Sequence, residues 1–165
     1  MAGMTEGFIR GSDEPFNVRF NSNGRLLFCA TTRGLRVLEW EKVLSAEKAT
    51  PPPLYATSPL ALGSPRLENS DEHYTNYTYD VALDEAAKSV LFCDIQGTVW
   101  FLNLKNQRTG ALLKPPEKNS TWRLLLAPDR QHLCCMCTTD RKANKGRIQV
   151  WNYQKLVEAA GLNLL

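Results

Sequence analysis

The sequence has little of what announces a chemical activity. Only two histidines, His73 and His132, occur in 165 residues, and neither stands in a recognisable motif. No Gly-x-Ser-x-Gly, no phosphate-cradling glycine loop and no His-Glu-x-x-His is present, so no nucleophile is set beside a base and no catalysis is expected. No apolar run approaches the roughly 20 residues that cross a bilayer, and no membrane partner is expected. The opening "MAGMTEGFIRGSDEPF" lacks a basic start followed by an apolar block, so no secretory signal is read there. Charge of one sign is scarce too: the net charge is +3, and Arg141, Lys142, Lys145 and Arg147 form the one tight basic group. Nucleic-acid binding needs a stronger stripe than that.

Five cysteines make an odd number, which fits reduced thiols and predicts a cytoplasmic location. The sequons at Asn76 and Asn119 then carry no weight. Hydrophobic residues at 43% and charged residues at 22% describe an ordinary globular balance in one domain, 1–165.

What is present is a phrase written three times. "GLRVLEW" at Gly34 to Trp40, "GTVWFLNL" at Gly97 to Leu104 and "GRIQVWNY" at Gly146 to Tyr153 each put a glycine before an apolar strand with a tryptophan in or near it. Before each glycine runs an alternating strand, a polar turn and a nearly continuous apolar strand. Phe16, Val18 and Phe20 precede Leu26 to Ala30; Tyr79, Val81 and Leu83 precede Val90 to Cys93; Trp122, Leu124 and Leu126 precede Leu133 to Cys137. A middle strand that is apolar on both faces is covered from both sides, which stacked blades around an axis provide.

The residues resemble the WD40 type of β-propeller, most clearly from Leu102 to Asn152. There Thr109 and Gly110 stand where such repeats turn into a flanking strand, Ala127 to Asp129 resembles the usual Ser-Pro-Asp turn, and Trp151-Asn152 takes the Trp-Asp position. No Gly-His dipeptide precedes the alternating strands and Asn152 replaces the aspartate, so the resemblance is to a divergent member. The glycines are 63 and then 49 residues apart, against about 40 to 45 in a typical repeat. The expected fold is all-β: a partial propeller of about three four-stranded antiparallel blades near 7–44, 54–104 and 105–153, with a proline-rich excursion over 45–74 and a short C-terminal helix over 154–162. The excursion holds five of the nine prolines.

Candidate chemistry reads as packing. In "HLCCMC", a strand sends His132, Cys134 and Met136 to one face and Cys135 and Cys137 to the other. That spacing offers no pair of zinc ligands across a turn, so core burial is expected, with no metal and no cofactor. "TTRG" at Thr31 to Gly34 is similar to the arginine pair with which some propellers hold phosphoinositides, but one arginine alone reads as a solvated turn residue. The four tryptophans, Trp40, Trp100, Trp122 and Trp151, are placed on strands between blades.

Closed propellers have about four to eight blades, so a three-bladed arc needs its end faces covered. A homodimer forming a ring, or association with further blades, is expected. By resemblance the function is that of a scaffold for protein partners, and the alternative is a propeller enzyme, or a small-molecule or metal-binding propeller, using a central channel. The partner-contact residues expected from the sequence are Tyr74, Tyr77, Arg141, Lys142, Lys145 and Arg147, in the excursion's end and the basic loop.

Overall fold

The computed structural model describes residues 14–45, 53–57, 62, 77–114, 121–140 and 145–162. Its strands are β1 (Pro15–Phe20), β2 (Leu26–Thr31), β3 (Gly34–Glu39), β4 (Tyr55–Thr57), β5 (Thr78–Asp84), β6 (Ser89–Asp94), β7 (Val99–Asn103), β8 (Thr109–Leu113), β9 (Thr121–Leu126), β10 (His132–Asp140) and β11 (Lys145–Asn152). Helix α1 (Trp40–Ser45) follows β3, and α2 (Tyr153–Ala159) follows β11. The strands form three antiparallel sheets in the orders β1-β2-β3-β4, β5-β6-β7-β8 and β9-β10-β11. The first strands of the sheets converge, β1 against β5 and β5 against β9, so the chain is a partial propeller of three blades.

The blade boundaries differ from those expected. The Tyr55–Thr57 stretch pairs with β3 through Leu35↔Thr57 and Val37↔Tyr55, so the outer strand of the first blade lies inside the proline-rich excursion, and β8 likewise completes the second blade. The sheets therefore run over 15–57, 78–113 and 121–152. The third has three strands among the described residues, one fewer than expected. Trp40 also departs from its expected place, since it opens α1 rather than lying in a strand.

The repeated glycine now has a physical reason. Gly34 and Gly97 have φ of 107° and 84°, in the left-handed region that a side chain disfavours, and each opens out of a tight hairpin. Thr31 and Asp94 hold these turns: the Arg33 N–H donates to Thr31 Oγ1 at 3.1 Å, and the Gln96 and Thr98 N–H groups donate to Asp94 Oδ1 at 2.9 Å. The indole Nε1 of Trp100 donates to Asp94 Oδ2 at 3.0 Å, which ties the middle of the second hairpin to its turn. Gly146 is the second residue of β11.

The blades superpose on their first turns. Asn21 to Leu26, Asp84 to Ser89 and Ala127 to His132 are the same five-residue step, and the pairs Leu27↔Leu38, Val90↔Leu102 and Leu133↔Trp151 follow each in register. Each blade thus has one face toward its predecessor and one toward its successor. Between the first and second blades pack Phe28, Leu35 and Val37 against Val81, Val90, Phe92, Trp100 and Leu102. Between the second and third pack Leu91, Cys93, Val99 and Phe101 against Leu124, Leu133, Cys135 and Cys137, and α2 adds Tyr153 and Val157 to that core.

Two buried aspartates bind the second junction. Asp80 Oδ2 accepts from the Leu124 N–H at 2.8 Å. Asp84 takes Arg130 in a two-point pair, 2.7 Å from Nε to Oδ1 and 3.0 Å from Nη2 to Oδ2, with Arg130 itself at φ 58°. Both carboxylates are fully enclosed, which is tolerable only because each is hydrogen-bonded.

Candidate protein-binding surfaces

Strand direction sorts the loops onto two sides of the arc. The β2–β3, β6–β7 and β10–β11 connections lie on one side, where β1, β5 and β9 also begin: Pro15 pairs with Thr31, Thr78 with Asp94, and Thr121 with Cys137. β4 also ends on this side, with Thr57 opposite Leu35. Tyr77, just before β5, and Lys145 and Gly146, at the start of β11, are therefore on the same side of the arc, although they are far apart in sequence.

Of the expected contact residues, Tyr77 is half-buried just before β5. Lys145 and Arg147 lie in β11, paired with Asp140 and Cys137, and Arg147 is exposed. Tyr74, Arg141 and Lys142 lie outside the described residues.

A feature the sequence reading missed is more regular. In each blade the first strand carries a bulge at its start, where the register slips between Pro15 and Asn17, between Thr78 and Asp80, and between Met136 and Cys137 opposite β9. The residue at the slip is Phe16 in the first blade, Tyr79 in the second and Trp122 in the third, an aromatic each time. Bulges re-aim a side chain out of the pleat. The rings of Phe16 and Tyr79 lie 5.1 Å apart, and Tyr77 stands 5.3 Å from Phe16 and 6.4 Å from Tyr79. Phe16 is exposed, and both tyrosines are half-buried. The alternation Phe16-Val18-Phe20, Tyr79-Val81-Leu83 and Trp122-Leu124-Leu126 held this signal, because the leading position is aromatic in all three.

The cysteines take the faces that strand alternation predicts. Cys135 and Cys137 turn to the second blade while His132 and Met136 are exposed and Cys134 is half-buried. All five are free thiols. Burial pushes the Cys29 thiol up to about 11 and the Cys135 thiol up to about 12, with Cys137 and Cys134 adding to the latter. Burial, and then the Asp80 carboxylate, raises Cys93. Among the described residues no group of three or more metal-ligating side chains converges, and no helix is long and apolar enough to cross a membrane.

No protein-family model matches the chain, and no curated protein matches it. Among solved structures it is similar to the β-propeller domain of Cps50 (Swd1) from Myceliophteria thermophila, with a TM-score of 0.56 and 10% identity over 87% of this chain and 39% of that one. It is also similar to the extracellular domain of a protein described as a one component system of B. thetaiotaomicron, with a TM-score of 0.55 and 13% identity over 84% of this chain and 18% of that one. A third is a protein described as a 6-phosphogluconolactonase of Bacteroides uniformis, with a TM-score of 0.50 and 10% identity over 87% and 42%. At these identities the likeness is one of fold, a β-propeller, and the chain spans less than half of each of those chains.

Proposed function

We propose that this chain is a protein-binding module of the WD40-like propeller type, working in the cytoplasm without catalysis of its own. The observation that carries the reading is the aromatic residue at the same bulge of each first strand, on the side of the arc where the loops gather. Partly exposed aromatic rings on a rigid frame give large contact area at little cost in side-chain ordering, and such residues dominate the energetics of protein contacts. Lys145 and Arg147, at the start of β11 on that side, suit an acidic rim on the partner, and Arg141 and Lys142 precede them in the sequence. Five cysteines outside any disulfide, four of them buried, support a reducing compartment.

The test is recovery of partners from source-cell lysate with the full chain and with a Phe16→Ser, Tyr79→Ser variant, quantified protein by protein. A defined set of proteins should fall by about tenfold or more with the variant, while its melting temperature stays near the parent's. Equal recovery of every protein by a folded variant would contradict the reading. Phe16→Ser alone, at an exposed position, serves if the double change unfolds.

A further inference from the structure

We infer that the two ends of the arc are complementary halves of one blade–blade junction, and that a second copy of this chain joins them into a six-bladed ring. The inference does not depend on the loop-side aromatics.

The argument begins with the outward face of the third blade. By the register above, Leu125 and Cys134 stand where the second blade has Ala82 and Leu91, and Met136 stands where it has Cys93. On the third strand, Ile148 and Val150 replace Val99 and Phe101. All five residues of the second blade are buried under the third. Four of their counterparts, Leu125, Met136, Ile148 and Val150, are apolar and exposed, and Cys134 is half-buried: Ile148 is 69% exposed where Val99 is 0%. The third blade therefore repeats, position by position, a face that elsewhere in the same chain receives another blade. Arg123 holds the place of Asp80 and lies 4.0 Å from that carboxylate, so its charge is drawn back toward the second blade.

The first blade offers the other half. Its outward face carries Val18 and Phe20, both exposed, at the positions of Leu124 and Leu126, and Leu27 and Cys29, already buried in a cluster with Leu38 and Val43, at those of Leu133 and Cys135. Helix α1 leaves the third strand of its blade as α2 does, so Trp40 corresponds to Tyr153 and Leu44 to Val157. In the existing junction Tyr153 and Val157 fill the gap beside the second blade. At the free end Val43 of α1 packs on Leu27, Cys29 and Leu38, and Leu44 is 43% exposed where Val157 is 2%. A helix in this wedge does not bar a neighbouring blade, because α2 occupies the same wedge in a junction that is already filled.

Of the nine exposed large hydrophobic residues among those described, Val18, Phe20 and Leu44 lie on one end and Leu125, Met136, Ile148 and Val150 on the other. Two arcs of three blades joined head to tail close at six, within the range of about four to eight that propellers use, and the two junctions are related by a two-fold axis. The ionic clamp of the internal junction is not repeated, since Ala127 and Gly24 stand in the places of Asp84 and Arg130. The two end faces are mainly apolar, but each carries an arginine, Arg36 opposite Cys29 and Arg123 opposite Met136, so high salt, which screens like charges, should not loosen their contact.

Sedimentation of the full chain across a wide concentration range tests this. The parent should reach twice its 18.6 kDa mass, and Ile148→Lys and Leu44→Glu should each remain at that single mass, because each spoils both junctions of a ring. Mixing the two variants should restore the dimer, since one junction of the mixed ring then has both natural halves. A parent that stays monomeric at all concentrations would overturn the inference, as would a mixture that stays monomeric. A dimer that persists in Leu44→Glu but not in Ile148→Lys would mean that third blades pack on each other, which also overturns it. Loss of the dimer in these exposed-site variants while partner recovery persists would leave the binding reading standing.

Discussion

Phe101→Ala is expected to lower stability by about 4 kcal/mol, and so to reduce the melting temperature by about 10 °C in a chain of this size. Phe101 is 1% exposed and sits at the middle of the core that joins the second and third blades and α2. Its removal leaves a cavity lined on one side by β6 and on the other by β9 and β10. Each blade is a rigid hydrogen-bonded sheet, so the walls close only in part, and the lost transfer energy and the cavity term add. Calorimetry of parent and variant measures the effect. A change below about 1 kcal/mol, the range of surface substitutions, would mean that the second and third blades do not pack face to face.

Arg130→Met is expected to cost about 3 kcal/mol, less than the fullest effect of breaking a buried pair because the arginine side chain is itself partly exposed. The change keeps the aliphatic stem and removes both contacts to Asp84, leaving the carboxylate in the blade gap with the Ala87 N–H at 3.2 Å as its remaining donor from the backbone. Asp84→Asn on top of Arg130→Met should recover much of the loss, since a neutral amide is cheaper to keep buried than an unpaired charge. If the double variant is as unstable as the single one, the cost belongs to the turn that Arg130 occupies at positive φ rather than to the ion pair.

The repeating unit was legible because each of its parts has a local cause. The alternating strand, the polar turn and the doubly apolar strand announce themselves through side-chain period and turn chemistry, and Gly34 and Gly97 mark hairpins that require a positive φ. Strand alternation put Cys135 and Cys137 on one face and Met136 on the other, but the expected burial holds only for the cysteine face, since Met136 is exposed. The outer strand of the first blade was not legible as such, because Tyr55–Thr57 is three residues long in a proline-rich setting, and its identity comes from β3, to which it hydrogen-bonds. Trp40 was misplaced for a related reason: it continues an apolar strand in sequence, but its N–H donates to the Arg25 carbonyl at 2.8 Å and α1 starts there.

The candidate surface was partly legible. Tyr77 and the basic residues were picked out by composition, and of these the topology puts Tyr77 and Lys145 on the same side. The bulge aromatics were overlooked because alternation assigned them to the core, and only the slip in register shows that Phe16, Tyr79 and Trp122 share a place outside the regular pleat. Asp80 and Asp84, four residues apart in "DVALD" and so on one face of β5, were not singled out in the sequence. A buried acid in such a strand signals a partner across a gap, which here is the Leu124 amide and the Arg130 guanidinium.

Hydrogen exchange across the whole chain tests the three-bladed account most directly. Strands flanked on both sides, among them β2, β6 and β10, should hold the slowest amides, and these three should give separate groups, Leu27–Ala30, Val90–Cys93 and Leu133–Cys137, because each exchanges only when its own sheet opens. Slow exchange confined to β5–β8, with the other two groups at the rate of exposed loops, would contradict the account and leave a single stable sheet in place of an arc of blades.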